Sequence, residues 1–339
     1  MSAVASSPVK AKKPIRERVA GIEQGILVII LTAVLVLLSI VFVDGFATLG
    51  NVTTLLRQAA TFGILALAQA IVILGKGLDL SVAGVALGCS QGAVALIAAG
   101  VPETQAILTM SLIALVVGLV NGVLIAYVEV PALIVTLATG MLVIGGVNIF
   151  LMKSNHYDVA RDSALSSFAR GTFFGVPKPI VIAAVAFVVV WLALRYTTAG
   201  KLIRAQGDNF DSARSMGSPV RPLQVLSYVV SALLALLAGF VWVSMQGSVQ
   251  SATTSFDPLL FTALTVAVIG GVSLSGGRGS ILGVLAGTLF VAFLNNFLIL
   301  MNLSAPAQDL IRGFVLLGAI FLDAWLHPRD EETAKSGEL

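Results

Sequence analysis

The feature that most constrains this chain is an apolar run of about 20 residues that recurs from one end to the other. Crossing the roughly 30 Å hydrocarbon core of a bilayer takes about 20 residues at helical rise. In lipid, a backbone satisfies its N–H and C=O groups only as helices or closed barrels. Ten runs fall at roughly 22–43, 55–75, 80–99, 106–127, 131–152, 179–196, 222–245, 258–273, 279–300 and 308–327, the eighth of them short. Composition agrees, with 58% of the 339 residues hydrophobic and 11% charged, where a soluble domain carries about a quarter charged. The expected fold is all-α, a polytopic integral membrane protein of about ten transmembrane helices.

Charge placement orients those helices. Lys10, Lys12, Lys13, Arg16 and Arg18 precede the first run, so residues 1–20 read as a disordered basic cytoplasmic leader and not a cleavable signal. The membrane domain then covers 21–327, with 328–339 as a cytoplasmic tail. With the N-terminus inside, inner segments hold fourteen Lys and Arg. Outer ones hold six: Arg57, Lys153, Arg161, Arg170, Lys178 and Arg312. That bias favours both termini in the cytoplasm, and with them the loop 197–220. The longest outer loop, 153–178, is polar and closes with Gly175-Val-Pro-Lys-Pro179, which predicts a short structured cap. Gly118/Gly122 and Gly283/Gly287 space small residues for close helix packing within the chain.

The loop 197–220 is a polar interruption with its own punctuation. Asp208 or Asn209 offers an N-cap oxygen, and Gly217-Ser218-Pro219 offers a left-handed C-cap followed by a helix breaker. Phe210, Ala213 and Met216 or Gly217 recur at helical spacing as one small apolar face. Two turns are too few to be stable alone in water, so this helix is held against a partner or against its own membrane domain, and it reads as a docking element.

No chemistry of its own is visible in the chain. The single cysteine, Cys89, excludes an internal disulfide. His156 and His327, both near helix ends, form no metal cluster. No phosphate-binding Gly-x-x-x-x-Gly-Lys-Ser/Thr occurs, since Gly200-Lys201 lacks the upstream glycine and the hydroxyl residue. Neither a hydrolytic triad nor a carboxylate pair is present, so no catalytic residue, metal or cofactor is expected. A net charge of +3 is too small to point to nucleic acid. Two classes remain: a self-sufficient secondary carrier or channel for a small polar solute, or a transport subunit whose energy comes from another chain. Ion-coupled carriers mark their route with ionisable groups deep in the bilayer. Asp44, Glu103, Glu129, Asp257, Asp309 and Asp323 instead fall near span ends, which weighs against the carrier.

Solute-touching groups are few. Gly75-Lys-Gly-Leu-Asp-Leu-Ser-Val-Ala-Gly84 breaks the second apolar run from the third. There Asp79 or Ser81 can cap the third helix and Lys76 can pair with Asp79, or Asp79 can belong to the pathway itself. The glycine-dense stretch Ile269–Gly279 predicts a tight helix connection. Gln69, Gln91, Asn121, Asn148, Asn295 and Asn296 are the amides placed to hydrogen-bond a crossing solute, or to glue helices together.

Four stretches occurring in order resemble the membrane permease of ribose-type sugar ATP-binding cassette (ABC) importers, the family of ribose, xylose and autoinducer-2 permeases. They are Gly77-Leu-Asp-Leu-Ser-Val82, Pro131-Ala-Leu-Ile-Val-Thr-Leu-Ala-Thr139, Gly207-Asp-Asn-Phe-Asp-Ser-Ala-Arg-Ser-Met-Gly217 and Ile269-Gly-Gly-Val-Ser-Leu-Ser-Gly-Gly-Arg-Gly279. The resemblance spans about 50–325 and implies a ten-span type II importer fold in the bacterial inner membrane, paired with a second permease copy or a homologous permease. It implies a coupling helix over Gly207, Asp208, Asn209, Phe210, Asp211, Ala213, Arg214, Met216 and Gly217, docked in a groove of a cytoplasmic ABC ATPase. An extracytoplasmic sugar-binding protein would deliver a monosaccharide or similar polyhydroxy solute. Lys76, where many relatives have glycine, and Ala83, which shifts the closing glycine, depart from the pattern and put the local turn geometry in question.

Overall fold

The computed structural model describes residues 24–251 and 257–326; the leader, the tail and 252–256 lie outside it. The first five helices are α1 (Gln24–Phe42), α2 (Leu49–Leu74), α3 (Val82–Ala98), α4 (Glu103–Ala126) and α5 (Ala132–Phe150). Next come β1 (His156–Asp158), α6 (Ala164–Ala169), β2 (Thr172–Phe173), β3 (Val176–Pro177) and α7 (Lys178–Tyr196). Two short helices, α8 (Thr198–Asp208) and α9 (Phe210–Ser215), lead into α10 (Val220–Gln246) and β4 (Ser248–Gln250). The chain continues through α11 (Asp257–Ile269), α12 (Ile281–Leu300) and α13 (Ala305–Leu326).

Each of the ten apolar runs carries one bundle helix, and α2, α4, α5, α7, α10 and α12 are long and apolar enough to cross a membrane. The eighth run is indeed short, with α11 only 13 residues long. The bundle is built around α2. Its most apolar window is 78% buried, against 33% in α4, α5 and α7, so those three helices have residues such as Leu112, Leu142 and Val189 on exposed outer faces. Both small-residue pairs pack inside the chain. A Cβ on Gly122 would lie 2.6 Å from the Val225 Cα, and one on Gly283 would lie 2.1 Å from the Gly270 carbonyl oxygen. With no hydrophobic drive between helices in lipid, such close approach supplies the van der Waals contact that holds them.

The 153–178 loop forms the predicted cap, but it is not purely helical. β1 pairs antiparallel with β4, Tyr157 opposite Val249, and β2 pairs with β3 around Phe174 and Gly175. Both of those turn residues have positive φ, 49° and 81°, as a tight two-residue hairpin with a right-handed twist requires. Helix α6 is pinned from both sides. Glu103 at the start of α4 accepts the Ala164 and Leu165 N–H groups. The Ser244 hydroxyl of α10 donates to the Ser166 carbonyl at 2.7 Å and accepts from the Ala169 N–H at 2.9 Å.

Candidate functional site

At the end of the bundle opposite the cap, the loop 197–220 folds as an elbow of two helices, where the sequence reading placed one. Thr197 caps α8, accepting the Gly200 N–H at 3.1 Å. Asp208 is the last residue of α8, not an N-cap. The chain breaks at Asn209, which is extended at φ −149° and ψ 103° and accepts the Ser212 N–H at 2.8 Å to cap α9. Gly217 closes α9 at φ 80°. Its N–H donates to the Arg214 carbonyl, and the Ser218 N–H to the Ala213 carbonyl, both at 3.0 Å. This is the paired 6→1 and 5→2 closure of a Schellman cap.

The expected apolar face of α9 is divided. Ala213 turns inward and is 2% exposed, Phe210 is half-buried, and Met216 points outward at 80%. Asp211 and Arg214 are exposed beside Met216. A charge placed at Ala213 would therefore be buried in the protein's own fold, and Met216 is the apolar residue left exposed at the tip of the elbow.

The elbow is fastened backbone to backbone. A Cβ on Gly207 would sit 1.9 Å from the Leu74 carbonyl oxygen and 2.4 Å from the Gly277 nitrogen, so only glycine fits there. Gly277 N–H donates to that same Leu74 carbonyl at 3.0 Å. Gln206 donates to the Gly75 carbonyl at 3.3 Å, and Arg204 to the Gly279 carbonyl at 2.9 Å. The Arg204 guanidinium is half-buried, and its desolvation lowers its pKa from the ordinary value. The 207–217 and 269–279 motifs thus meet at the C-terminal end of α2. That end closes by another Schellman cap, with Gly77 N–H on the Val72 carbonyl and Lys76 N–H on the Ile73 carbonyl, both at 2.9 Å. Lys76 occupies its left-handed position at φ 63°, where glycine would carry no steric cost.

The other two motifs also meet. After α2 the chain dips into the bundle, where Asp79 is fully buried. Its Oδ1 accepts the Ser81 N–H at 2.9 Å and the Ser81 hydroxyl at 2.5 Å, and its Oδ2 accepts the Ser231 hydroxyl of α10 at 2.8 Å. The expected Lys76–Asp79 pair does not form, because Lys76 is exposed while Asp79 points inward. Ser81 is the residue before α3 but makes no side-chain cap. Its hydroxyl instead accepts from Asn121 of α4 at 3.0 Å, and Asn121 accepts the Thr139 hydroxyl of α5 at 2.8 Å. Thr136 accepts the Leu80 N–H at 3.0 Å. Three helices are thereby tied to one irregular segment whose polar groups are met within protein, the condition for non-helical backbone at membrane depth.

The remaining amides divide by whether they are partnered. Asn296 and Asn51 exchange hydrogen bonds at 2.8 and 2.9 Å. Asn295 accepts from Arg312 at 2.8 Å, and Asn148 from Ser251 at 3.0 Å. Gln91 donates to the Gln250 carbonyl at 3.0 Å, but its Oε1 is buried without a partner among the described residues. Gln69, wholly buried five residues before the C-terminal end of α2, has no partner for its Nε2 or its Oε1 among the described residues. The sequence reading named Ser81 only as a possible helix cap and missed Ser231, Thr136 and Thr139 as members of this network, since isolated hydroxyls in apolar helices carry no distinctive pattern.

A family model described as branched-chain amino acid transport system / permease component matches residues 51–320. The chain is 36% identical over 275 residues to the ribose import permease protein RbsC of Bacillus subtilis (strain 168), covering 80% of this chain and 84% of that protein. It is 34% identical over 301 residues to the RbsC protein of Escherichia coli (strain K12), covering 86% and 92%. Identity to the L-arabinose transport system permease protein AraH of Escherichia coli (strain K12) is 32% over 313 residues, covering 89% and 90%.

Proposed function

The chain belongs to the branched-chain amino acid transport system / permease component family, and from that premise we propose that it is the permease subunit of an ABC importer for a monosaccharide or similar polyhydroxy solute. It is a multi-pass membrane transport subunit and not an enzyme. In this reading a separate cytoplasmic ATPase supplies the energy, an extracytoplasmic binding protein supplies the solute, and a second permease completes the pathway. The chain sits in a bacterial inner membrane with both termini and the α8–α9 elbow in the cytoplasm. Relatives named for ribose and arabinose support the sugar class.

The observation that carries the reading is the elbow. Its tip is exposed while its base is locked to α2 and to the 269–279 turn through glycines that admit no side chain. A push on α9 therefore moves the C-terminal end of the central helix, as coupling to an external motor requires.

The test is purification of the tagged protein from its native membrane in mild detergent, with the co-purifying chains identified. A Walker-type ATPase is expected in roughly one-to-one amount. Met216→Glu should lose that ATPase while changing stability by no more than about 0.5 kcal/mol, as for an exposed position. If the protein purifies alone and carries solute into liposomes without ATP, it is a secondary carrier instead.

A further inference from the structure

At the cap end of the bundle, opposite the elbow, the structure holds an open cavity of about 450 Å³, a volume typical of small-molecule sites. Three arginines from separate elements converge on it: Arg57 of α2, Arg170 after α6 and Arg312 of α13. Gln58, Gln246 and Trp242 contribute to the rest of its wall, and no acidic side chain does. None of this was legible in the sequence, where the three arginines appear only as charges scattered over 256 positions of chain.

The charge balance decides what the cavity fits. Arg312 is already engaged, by Asp309 at 2.8 Å, by Asn295 at 2.8 Å and by Gln308 at 3.1 Å. Arg57 and Arg170 have no carboxylate partner among the described residues. The Arg57 Nε is moreover buried with no hydrogen-bond partner there. A guanidinium taken partly out of water and left unpaired is costly, and its planar fork matches a carboxylate in a bidentate manner. Charge alone would suit any small anion. The neutral remainder of the wall asks for more, since the two glutamines can bond hydroxyls and Trp242 offers an apolar body to C–H groups.

Thr61 lines the cavity with a buried, unpartnered hydroxyl oxygen. Gln69, with its unpartnered amide, lies about three turns beyond Gln58 on the same face of α2. Buried polar groups without partners among the described residues thus occur on α2 both at the cavity and further toward the elbow end.

We propose that this cavity is the solute-receiving site of the permease and that it selects a sugar acid, a monosaccharide bearing a carboxylate, over its neutral parent. Arg57 and Arg170 hold the carboxylate, while Gln58, Gln246 and Trp242 hold the sugar body. This rests on the transport reading above and narrows its substrate class.

The experiment uses the full-length protein in phosphatidylcholine nanodiscs and follows tryptophan fluorescence on titration with glucuronate, glucose and inorganic phosphate. Glucuronate is expected to give a saturable change, about tenfold or more tighter than either glucose or phosphate, as charge-assisted hydrogen bonds would confer. Trp242→Phe should remove the signal. The double variant Arg57→Gln/Arg170→Gln should weaken glucuronate about tenfold or more, whereas the two lysine substitutions keep the preference. Equal binding of glucose and glucuronate, phosphate binding as tightly as glucuronate, or no saturable response in monodisperse protein each overturns the proposal. So does a response to added phosphatidylglycerol with none to glucuronate, which would assign the cavity to an anionic lipid headgroup. The double glutamine variant should still co-purify with the ATPase, so failure here leaves the transport reading standing and is distinguishable from its failure.

Discussion

Two polar regions of the same bundle make an instructive contrast. Around Asp79, both carboxyl oxygens are met by Ser81 and Ser231, and the links pass through Asn121 to Thr139. By contrast, the arginine-lined cavity at the cap end leaves Arg57 Nε and Thr61 Oγ1 unpartnered among the described residues, and further along α2 both amide atoms of Gln69 are unpartnered as well. A closed network fixes one arrangement of its helices. An open one has donors and acceptors to offer a passing solute. The two glycine-bearing motifs near the first region make the same point in backbone, since Gly207 and Gly277 leave no room for slack at the elbow.

The contrast can be broken most sharply at Asp79. Asp79→Ala removes the acceptor for three donors at once and should cost about 3 kcal/mol or more, seen as a large drop in melting temperature in detergent and in membrane yield. A variant as stable as the parent would show that the carboxyl does not organise the segment. Asn121→Ala breaks only the links to Ser81 and Thr139 and should cost about 1–2 kcal/mol, measured in the same way. The smallest stability effect, and the most discriminating, is expected at Gln69. Replacing an unpartnered buried amide by a similar-sized apolar group gives up no hydrogen bond, so Gln69→Leu should be neutral within about 0.5 kcal/mol or mildly stabilising, while uptake falls. A loss of about 1 kcal/mol or more with normal uptake would place Gln69 with the structural network.

Sequence reading was sound wherever the signal is local. Asn209 and Gly217 bound α9 as their side-chain chemistry and conformational freedom dictate. The departure at Lys76 marked a real peculiarity, a non-glycine residue at φ 63°. What local chemistry could not show was inter-helix pairing. Ala213 and Met216 both read as one apolar face, yet only packing against the rest of the chain turned the first inward and the second outward. Asp79 seemed available to Lys76 three residues away, but the inward course of the chain gave it to Ser231, 152 residues away in sequence.

By itself the sequence determined the number and length of the apolar runs, because the bilayer sets helix length and lipid forbids unsatisfied backbone. It also placed the elbow and the cap, because polar interruptions cannot stay in hydrocarbon. Only the tertiary structure decided which polar groups were already paired and which were left open. Pairing depends on which faces of distant helices meet, and small residues such as Gly122, Gly207 and Gly283 set that by allowing backbones to touch. The convergence of Arg57, Arg170 and Arg312 on one cavity is a consequence of that packing, and no spacing within the chain encodes it.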